Sequence, residues 1–218
     1  TLGLFYCFYQ LGKIMTYYGT FGELILVCSL IYISYIWHKS VTIPPLFKHI
    51  TLVCFAVIAI TALLGSARFA GVNSVIPTHD TLSWISKHIA MLLYAAGLAY
   101  TVINYKVKIV LAVIVLIAMS QLLGTLGVDL VLFVSLLFYA FFTQVKPPSI
   151  FALIALLLVP TTAILPVSDD FKMGLFHLLL ALHFFFIALS IKIQKTNISI
   201  NFRLFLGLTL HHTGTIKT

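Results

Sequence analysis

The sequence predicts an all-α protein, a bundle of seven transmembrane helices. Hydrophobic residues make up 61% of the 218 residues and charged residues only 8%. An average soluble domain is about 25% charged, so this composition is typical of a chain whose solvent is lipid. The apolar runs are continuous and approach the roughly 20 residues that a helix needs to cross a bilayer. Barrel strands are shorter and alternate in polarity, so spanning helices are favoured.

Seven apolar segments account for most of the chain. In order they cover residues 17–37, 50–72, 82–104, 107–126, 128–143, 149–167 and 171–193. The fifth is short for a full crossing, and Pro160 predicts a kink in the sixth. Little remains beyond connectors, so we expect one membrane domain over residues 15–195 and no soluble catalytic domain.

Turn-forming and charged residues separate the segments in order. Pro44 and Pro45 precede the second segment, Lys106 and Lys108 the fourth, and Pro147 and Pro148 the sixth, while Gly124 to Gly127 form a tight hairpin before the fifth. The connector over residues 71–81, GVNSVIPTHDT, is the longest on its side. We interpret it as a lid over an outer pocket, with an ordinary surface loop as the alternative.

The charged residues behind the formal net charge of +8 are distributed unequally between the two predicted sides of the membrane. The side that holds all the acidic residues has only Arg68, Lys87 and Lys172 as cations, and the opposite connectors have no Asp or Glu. Those connectors carry Lys39, Lys48, Lys106, Lys108, Lys146, Lys192 and Lys195. The positive-inside rule therefore predicts an outer N-terminus and a cytoplasmic C-terminus. The basic surplus indicates contact with the lipid bilayer and its anionic headgroups, and not with nucleic acid.

The two ends and the cysteines indicate no further site. Met15 opens the first segment, so residues 1–14 are expected to be a non-native extension or the start of a fragment. Residues 196–218 are expected to form a cytoplasmic tail whose short apolar run lies at the interface. Cys7, Cys28 and Cys54 have no metal-ligand spacing and are expected to pack as small apolar residues.

Polar residues from distant parts of the sequence share one depth at the outer edge. Polar groups at membrane depth are costly and indicate function by default. The orientation predicts an outward-facing polar pocket. Its expected residues are Glu23, Ser66, Arg68, His79, Asp80, Ser83, Gln121, Asp129, Asp169, Asp170 and His177.

Each of these residues also has a simpler interpretation. Asp80, Asp129 and the pair Asp169 and Asp170 stand where helices are expected to begin, so they could cap free N–H groups. Arg68 could snorkel to headgroups or pair with Glu23 or Asp80. Gln121 is expected to hydrogen-bond between helices.

The two histidines of the last segment are expected to serve different purposes. His177 and His183 are six residues apart and so roughly 120° apart around a helix, which places them in different sites. His177 lies nearer the outer polar groups. His183, at mid-membrane, and His88 are expected to be packed and hydrogen-bonded.

The positions of Glu23, Ser66, Asp80 and His177 resemble those of a known family. The alkaline-ceramidase-like superfamily, often called CREST, comprises seven-span membrane hydrolases. The resemblance covers about 170 residues, from Glu23 to Lys192, and the segments LLGSARFAG and LFHLLLALHFF also resemble small bacterial membrane proteins of this type. It implies a catalytic set of Asp80, Ser66 and His177, zinc held by His177 and Asp80, and a bacterial cytoplasmic membrane location.

The family's zinc motif is incomplete here. Ala70 stands where the family's Ser-x-x-x-His motif has its histidine, and Ala181 stands where its His-x-x-x-His motif has the second histidine. Alanine provides no metal ligand, so bound zinc is disfavoured, although His79 could substitute. We therefore expect a ceramidase-like scaffold with a degenerate metal site and a lipid-derived ligand. The alternatives are a hydrolase of lipid amides or esters, and a small-solute or proton-coupled transporter or receptor that uses Glu23, Arg68 and Asp80 as a charge relay.

Overall fold

The described part of the chain is helical throughout. The computed structural model describes residues 17–40, 43, 45–102, 132–143 and 145–212, and these contain no β-strand. The first two helices are α1 (Tyr17–His38) and α2 (Pro45–Phe69). A third stretch follows as a short 3-10 helix (Asn73–Val75), α3 (Ile76–Ile85), a π-helix (Ser86–Ala90) and α4 (Met91–Val102). The chain then forms α5 (Leu132–Phe142), α6 (Lys146–Leu158), a 3-10 helix (Pro160–Ile164) and α7 (Asp169–His212).

Five helical stretches within the described residues are long and apolar enough to cross a membrane. They are Tyr17–His38, Pro45–Phe69, Asn73–Thr101, Lys146–Ile164 and Asp169–Gln194, and α5 is a shorter apolar helix. The all-helical, membrane-compatible fold expected from composition is therefore confirmed. The expected fourth segment, residues 107–126, and the start of the fifth lie outside the described residues.

α2 and α6 begin earlier than the apolar segments expected there, residues 50–72 and 149–167, because proline is tolerated in the first turn of a helix. Pro45 is the first residue of α2, and Pro147 and Pro148 lie in the first turn of α6. Proline is tolerated there because the first N–H groups of a helix have no partner inside it. Pro160 stands where α6 gives way to a 3-10 helix, which is the departure expected at that residue.

The expected lid connector is not a loop. Only Ala70, Gly71 and Val72 separate α2 from the next helical stretch, and residues 73–81 are helical. Gly71 has a φ of +92°, a left-handed conformation in which a side chain would be strained. Asp80 therefore lies in the second turn of α3, so of its two interpretations the structure does not support capping of this helix.

At the start of α7, the residue that caps the helix is neither Asp169 nor Asp170. The side-chain oxygen of Ser168 accepts a hydrogen bond from the Phe171 N–H at 3.4 Å, so Ser168 is the capping residue. Asp169 instead pairs with Lys172 at 3.2 Å. Both acidic residues remain in the first turn, where the helix dipole favours negative charge.

The core lies between α1, α2, α4 and α7. α1 packs against both α2 and α7, and α6 packs on the other side of α7. At the centre, the rings of Trp37, Phe55, Tyr94 and Phe184 meet one another at centroid distances of 5.3 to 6.4 Å. These aromatic contacts fix how the helices are rotated about their axes and thereby position the polar groups above them.

Two glycines allow α1 and α7 to touch near the first residues of both helices. A Cβ on Gly22 would lie 2.6 Å from the Gly174 carbonyl oxygen, and one on Gly174 would lie 2.6 Å from the Tyr18 carbonyl oxygen. Small residues at such a crossing let two backbones approach closely. Glu23 follows Gly22 directly and His177 lies three residues after Gly174, so this contact brings those two side chains together.

Candidate functional site

Glu23 and His177 form a buried polar pair between α1 and α7. The His177 Nε2 lies 3.3 Å from the Glu23 Oε1, and the two side chains are 10% and 3% exposed. The second carboxyl oxygen of Glu23, Oε2, is buried and has no hydrogen-bond partner among the described residues. Within the described part of the chain, the His177 Nδ1 is a second buried atom of this pair without a hydrogen-bond partner, as are the Trp37 Nε1 and the Thr51 Oγ1 in the core. Such an atom is costly, and it is satisfied by a bound water, ion or ligand or retained for a functional role.

Gly65 on α2 provides the space that the Glu23 carboxyl group occupies. A Cβ on Gly65 would lie 2.8 Å from the Glu23 Cδ and 3.2 Å from the His79 Nε2. The carboxyl group of Glu23 and the imidazole of His79 therefore border the same point on α2. The sequence analysis did not identify Gly65, although its position directly before Ser66 is the signal that could have drawn attention to it.

His79 joins this buried pair to a charged rim. Its Nδ1 lies 3.2 Å from the Asp80 Oδ1 and 3.5 Å from the Arg68 Nη1. Arg68 donates to Asp80 at 3.3 Å, with side-chain exposures of 44% and 61%. We name the five residues Glu23, Arg68, His79, Asp80 and His177 the outer cluster. Its exposure falls from the rim inward, with His79, 13% exposed, at the junction.

The structure thus brings together five of the residues expected at the outer edge. The expected close approach of a carboxylate to Arg68 is present, but its partner is Asp80 and the pair is exposed. This exposure does not fit the idea of a buried charge relay through Glu23, Arg68 and Asp80. Ser66 is half-buried beside the cluster, and no hydrogen bond among the described residues joins it to the other members. Gln121 and Asp129 lie outside the described residues.

His183 belongs to a separate buried network, which agrees with its expected rotation away from His177. Its Nδ1 donates to the Ala152 carbonyl oxygen at 2.9 Å, and its Nε2 accepts from the Tyr94 hydroxyl at 2.9 Å in the neutral ring. His88 stacks on Trp84 and faces the Trp84 carbonyl oxygen. Neither histidine contributes to the outer cluster.

The residues that the family resemblance assigns to zinc do not form a ligand set. His177 is engaged with Glu23, while Asp80 is engaged with Arg68 and His79 at the rim. Among the described residues, no group of three or more His, Cys, Asp or Glu side chains is arranged to hold a metal ion. Ala181 is buried in the apolar core and Ala70 is exposed after the end of α2. The site therefore does not fit a zinc ion as the family binds it.

We expect the purified protein to contain well under one zinc per chain. Zinc needs three or four nitrogen, sulfur or oxygen ligands, and the described cluster does not offer them in one place. Elemental analysis of the detergent-purified protein measures this directly. Stoichiometric zinc that disappears in His79→Ala would contradict the prediction and would identify His79 as the substitute ligand.

A surface groove on α1 is separate from the outer cluster. It is apolar and is lined by Phe21, Leu24, Ile25, Cys28, Ser29, Tyr32 and Phe185. Phe21 and Leu24 are exposed where Glu23 is buried, so the groove lies on the opposite face of α1. None of the residues expected to form the outer pocket lines it.

Comparisons with known proteins give no relative for this chain. No family model, no curated protein and no solved structure matches this chain. The fold and the outer cluster define a helical, apolar protein compatible with several membrane crossings, with a buried Glu–His pair near one end of the bundle.

Proposed function

We propose that this chain is an integral membrane protein of seven spans on a ceramidase-like scaffold, whose outer cluster binds the polar group of a lipid-derived ligand. In this proposal the N-terminus faces outward, the C-terminus lies in the cytoplasm, and the membrane is a bacterial cytoplasmic membrane. The apolar helices and the one-sided distribution of lysine support the arrangement. The expected metal site is degenerate, so the ligand is held by side chains.

The single observation that carries the binding proposal is the environment of Glu23. Its carboxyl group is almost entirely buried in an apolar bundle, and one oxygen lacks a partner among the described residues. A site built to hydrogen-bond a ligand contains such groups, and they are satisfied when the ligand is present. The neighbouring imidazoles of His79 and His177 provide further polar atoms around the same point.

We expect Glu23→Gln to weaken ligand binding about tenfold to a hundredfold. A hydrogen bond to a charged group contributes about 1.5 to 3 kcal/mol, which corresponds to that range. The measurement is a titration of protein in phosphatidylcholine nanodiscs with fluorescent lipids that share one acyl chain and end in an amine, a hydroxyl or a carboxylate. Asp169→Asn is the matched control, because it removes an outer carboxylate that is 95% exposed. Absence of any saturable, Glu23-dependent binding would refute the proposal.

The orientation makes an independent prediction. In a background without Cys7, Cys28 and Cys54, a cysteine at Asn73 should react with a membrane-impermeant maleimide in intact cells. A cysteine at Gln194 should react only after permeabilisation, because the seven inner lysines favour a cytoplasmic side for that end. The reverse labelling pattern would place the outer cluster on the cytoplasmic side and end the proposal of an outward-facing site.

A second candidate function, hydrolysis of a lipid amide or ester, is favoured by the pairing of His79 with Asp80. Asp80 contacts the Nδ1 of His79, which leaves the Nε2 directed toward Glu23 and Gly65. A carboxylate that orients an imidazole in this way is the arrangement used by a general base. Release of fatty acid from an acyl amide by the wild type, lost in His79→Ala and reduced in Asp80→Asn, would favour this function over binding alone.

A further inference from the structure

We infer that the outer cluster selects a ligand whose polar group is a primary ammonium on an apolar chain. This inference rests on the proposed function and specifies the chemical class of the ligand. It follows from the hydrogen-bonding capacity of three atoms that lie deep in the cluster: both carboxyl oxygens of Glu23 and the Nε2 of His79.

The partner of Glu23 leaves its free oxygen as an acceptor. Only one hydrogen is needed between the Glu23 Oε1 and the His177 Nε2, which are 3.3 Å apart. With Glu23 in its carboxylate form, that hydrogen resides on the His177 Nε2, so the Oε2 retains its lone pairs and carries no hydrogen. The buried atom without a partner among the described residues is therefore one that needs a donor.

His79 offers a second acceptor at the same place. Its Nδ1 faces Asp80 at 3.2 Å and Arg68 at 3.5 Å. Arg68 already donates to Asp80, and a carboxylate can only accept, so the tautomer of neutral His79 that suits the closer contact has its hydrogen on Nδ1, pointing to Asp80. The Nε2, which borders Gly65 beside the Glu23 carboxyl group, is then an acceptor as well.

The surrounding charges favour a cation over an anion. Arg68 is matched by Asp80 at the rim, and Lys172 is matched by Asp169 at the start of α7. Among the described residues, Glu23 faces the imidazole of His177 and borders that of His79, and no Lys or Arg pairs with it, so its carboxylate can balance a ligand cation. An ammonium group has three donors and no acceptor, which complements an acceptor-rich point, whereas a carboxylate would place its lone pairs against those of Glu23 and His79.

The outer helical stretch provides a route to this point. None of residues 73–85 is buried, so this stretch is weakly packed as the structure describes it. Gly71 bounds it on one side, and a Cβ there would meet no atom within 4 Å. The π-helix Ser86–Ala90 bounds it on the other side, anchored by a 2.8 Å hydrogen bond between Thr61 and Ser86. A shift of this stretch withdraws His79 and exposes Glu23 to the outer leaflet.

The experiment compares headgroups on one chain length. Wild-type protein in phosphatidylcholine nanodiscs is titrated with decylamine, decanol, decyltrimethylammonium and decanoate, each competing with the fluorescent amine lipid. We expect decylamine to compete at a concentration at least tenfold lower than the other three. Decyltrimethylammonium has the charge without N–H donors, so its weakness separates hydrogen bonding from attraction between charges. Glu23→Gln should remove the preference, and Asp169→Asn should retain it.

The outcomes separate this inference from the proposed function. Glu23-dependent binding in which decanol or decanoate competes as well as decylamine would overturn the ammonium inference and leave a lipid-binding site. A decylamine effect that is equal in Glu23→Gln would overturn it too, because it would show only insertion into the bilayer. If micromolar zinc displaced the fluorescent lipid and prevented decylamine from competing, the acceptors would be assigned to a metal cation instead. Absence of any Glu23-dependent binding, with the wild type and a Glu23→Gln protein of the same melting temperature binding every lipid equally, would refute both.

Discussion

Gly174→Leu should prevent the bundle from assembling normally and should lower its free energy of unfolding by about 3 kcal/mol or more. Overpacking a tight contact costs about 1 to 3 kcal/mol when side chains can adjust, and here the opposing atoms are backbone. Even a Cβ at this position would lie 2.6 Å from the Tyr18 carbonyl oxygen, so α1 and α7 must separate. For a chain of this size such a loss lowers the melting temperature by roughly 6 to 12 °C. Thermal unfolding in detergent, followed by circular dichroism, measures it.

Leu182→Phe is the matched control for that substitution. It enlarges a residue on the same helix, but Leu182 is 38% exposed on the surface of the bundle. It should leave the melting temperature almost unchanged. If Gly174→Leu melted like Leu182→Phe, the close contact between α1 and α7 would be wrong, and with it the geometry that places Glu23 beside His177.

The sequence predicted the helical membrane fold because lipid imposes a simple rule on composition. A chain with 8% charged residues and long apolar runs satisfies its backbone in lipid only through helices or closed barrels. The expected limits of the first segment, residues 17–37, agree closely with α1 (Tyr17–His38). Helix ends near proline and glycine were predicted less well, because proline can either separate helices or open one. Residues 73–81 show the difference, since GVNSVIPTHDT has the composition of a loop and forms mostly helix.

The sequence predicted which residues belong to the outer cluster better than it predicted which of them contact one another. A shared depth relative to the membrane follows from orientation, and it drew Glu23, Arg68, His79, Asp80 and His177 together. Which of these side chains touch depends on how the helices are rotated about their axes. That rotation is set by aromatic packing in the core and by the contacts at Gly22, Gly65 and Gly174. No local sequence pattern encodes those contacts. The sequence therefore favoured Glu23 and Asp80 equally as partners for Arg68, whereas the structure pairs Glu23 with His177.

The buried network around His183 is the second place where one substitution should have a large effect. His183 is fully buried and joins α7 to both α4 and α6 through Tyr94 and the Ala152 carbonyl oxygen. His183→Leu leaves the buried Tyr94 hydroxyl without a partner and removes the side-chain hydrogen bond to the Ala152 carbonyl oxygen, which keeps its bond within α6. The stranded hydroxyl costs about 1 to 3 kcal/mol and the lost hydrogen bond about 1 kcal/mol, so we expect the free energy of unfolding to fall by about 2 to 4 kcal/mol.

A double-mutant cycle measured by thermal unfolding tests whether lost hydrogen bonding causes this destabilisation. Tyr94→Phe alone should destabilise the protein by about 1 kcal/mol, because the Nε2 of His183 loses its donor. In the His183→Leu background the same change should be neutral or stabilising, because it removes the stranded hydroxyl. Tyr100→Phe, on the same helix but stacked on Phe47, is the control and should have the same effect in both backgrounds. Equal effects of Tyr94→Phe in the two backgrounds would show that the ring of His183 stabilises α7 by packing alone.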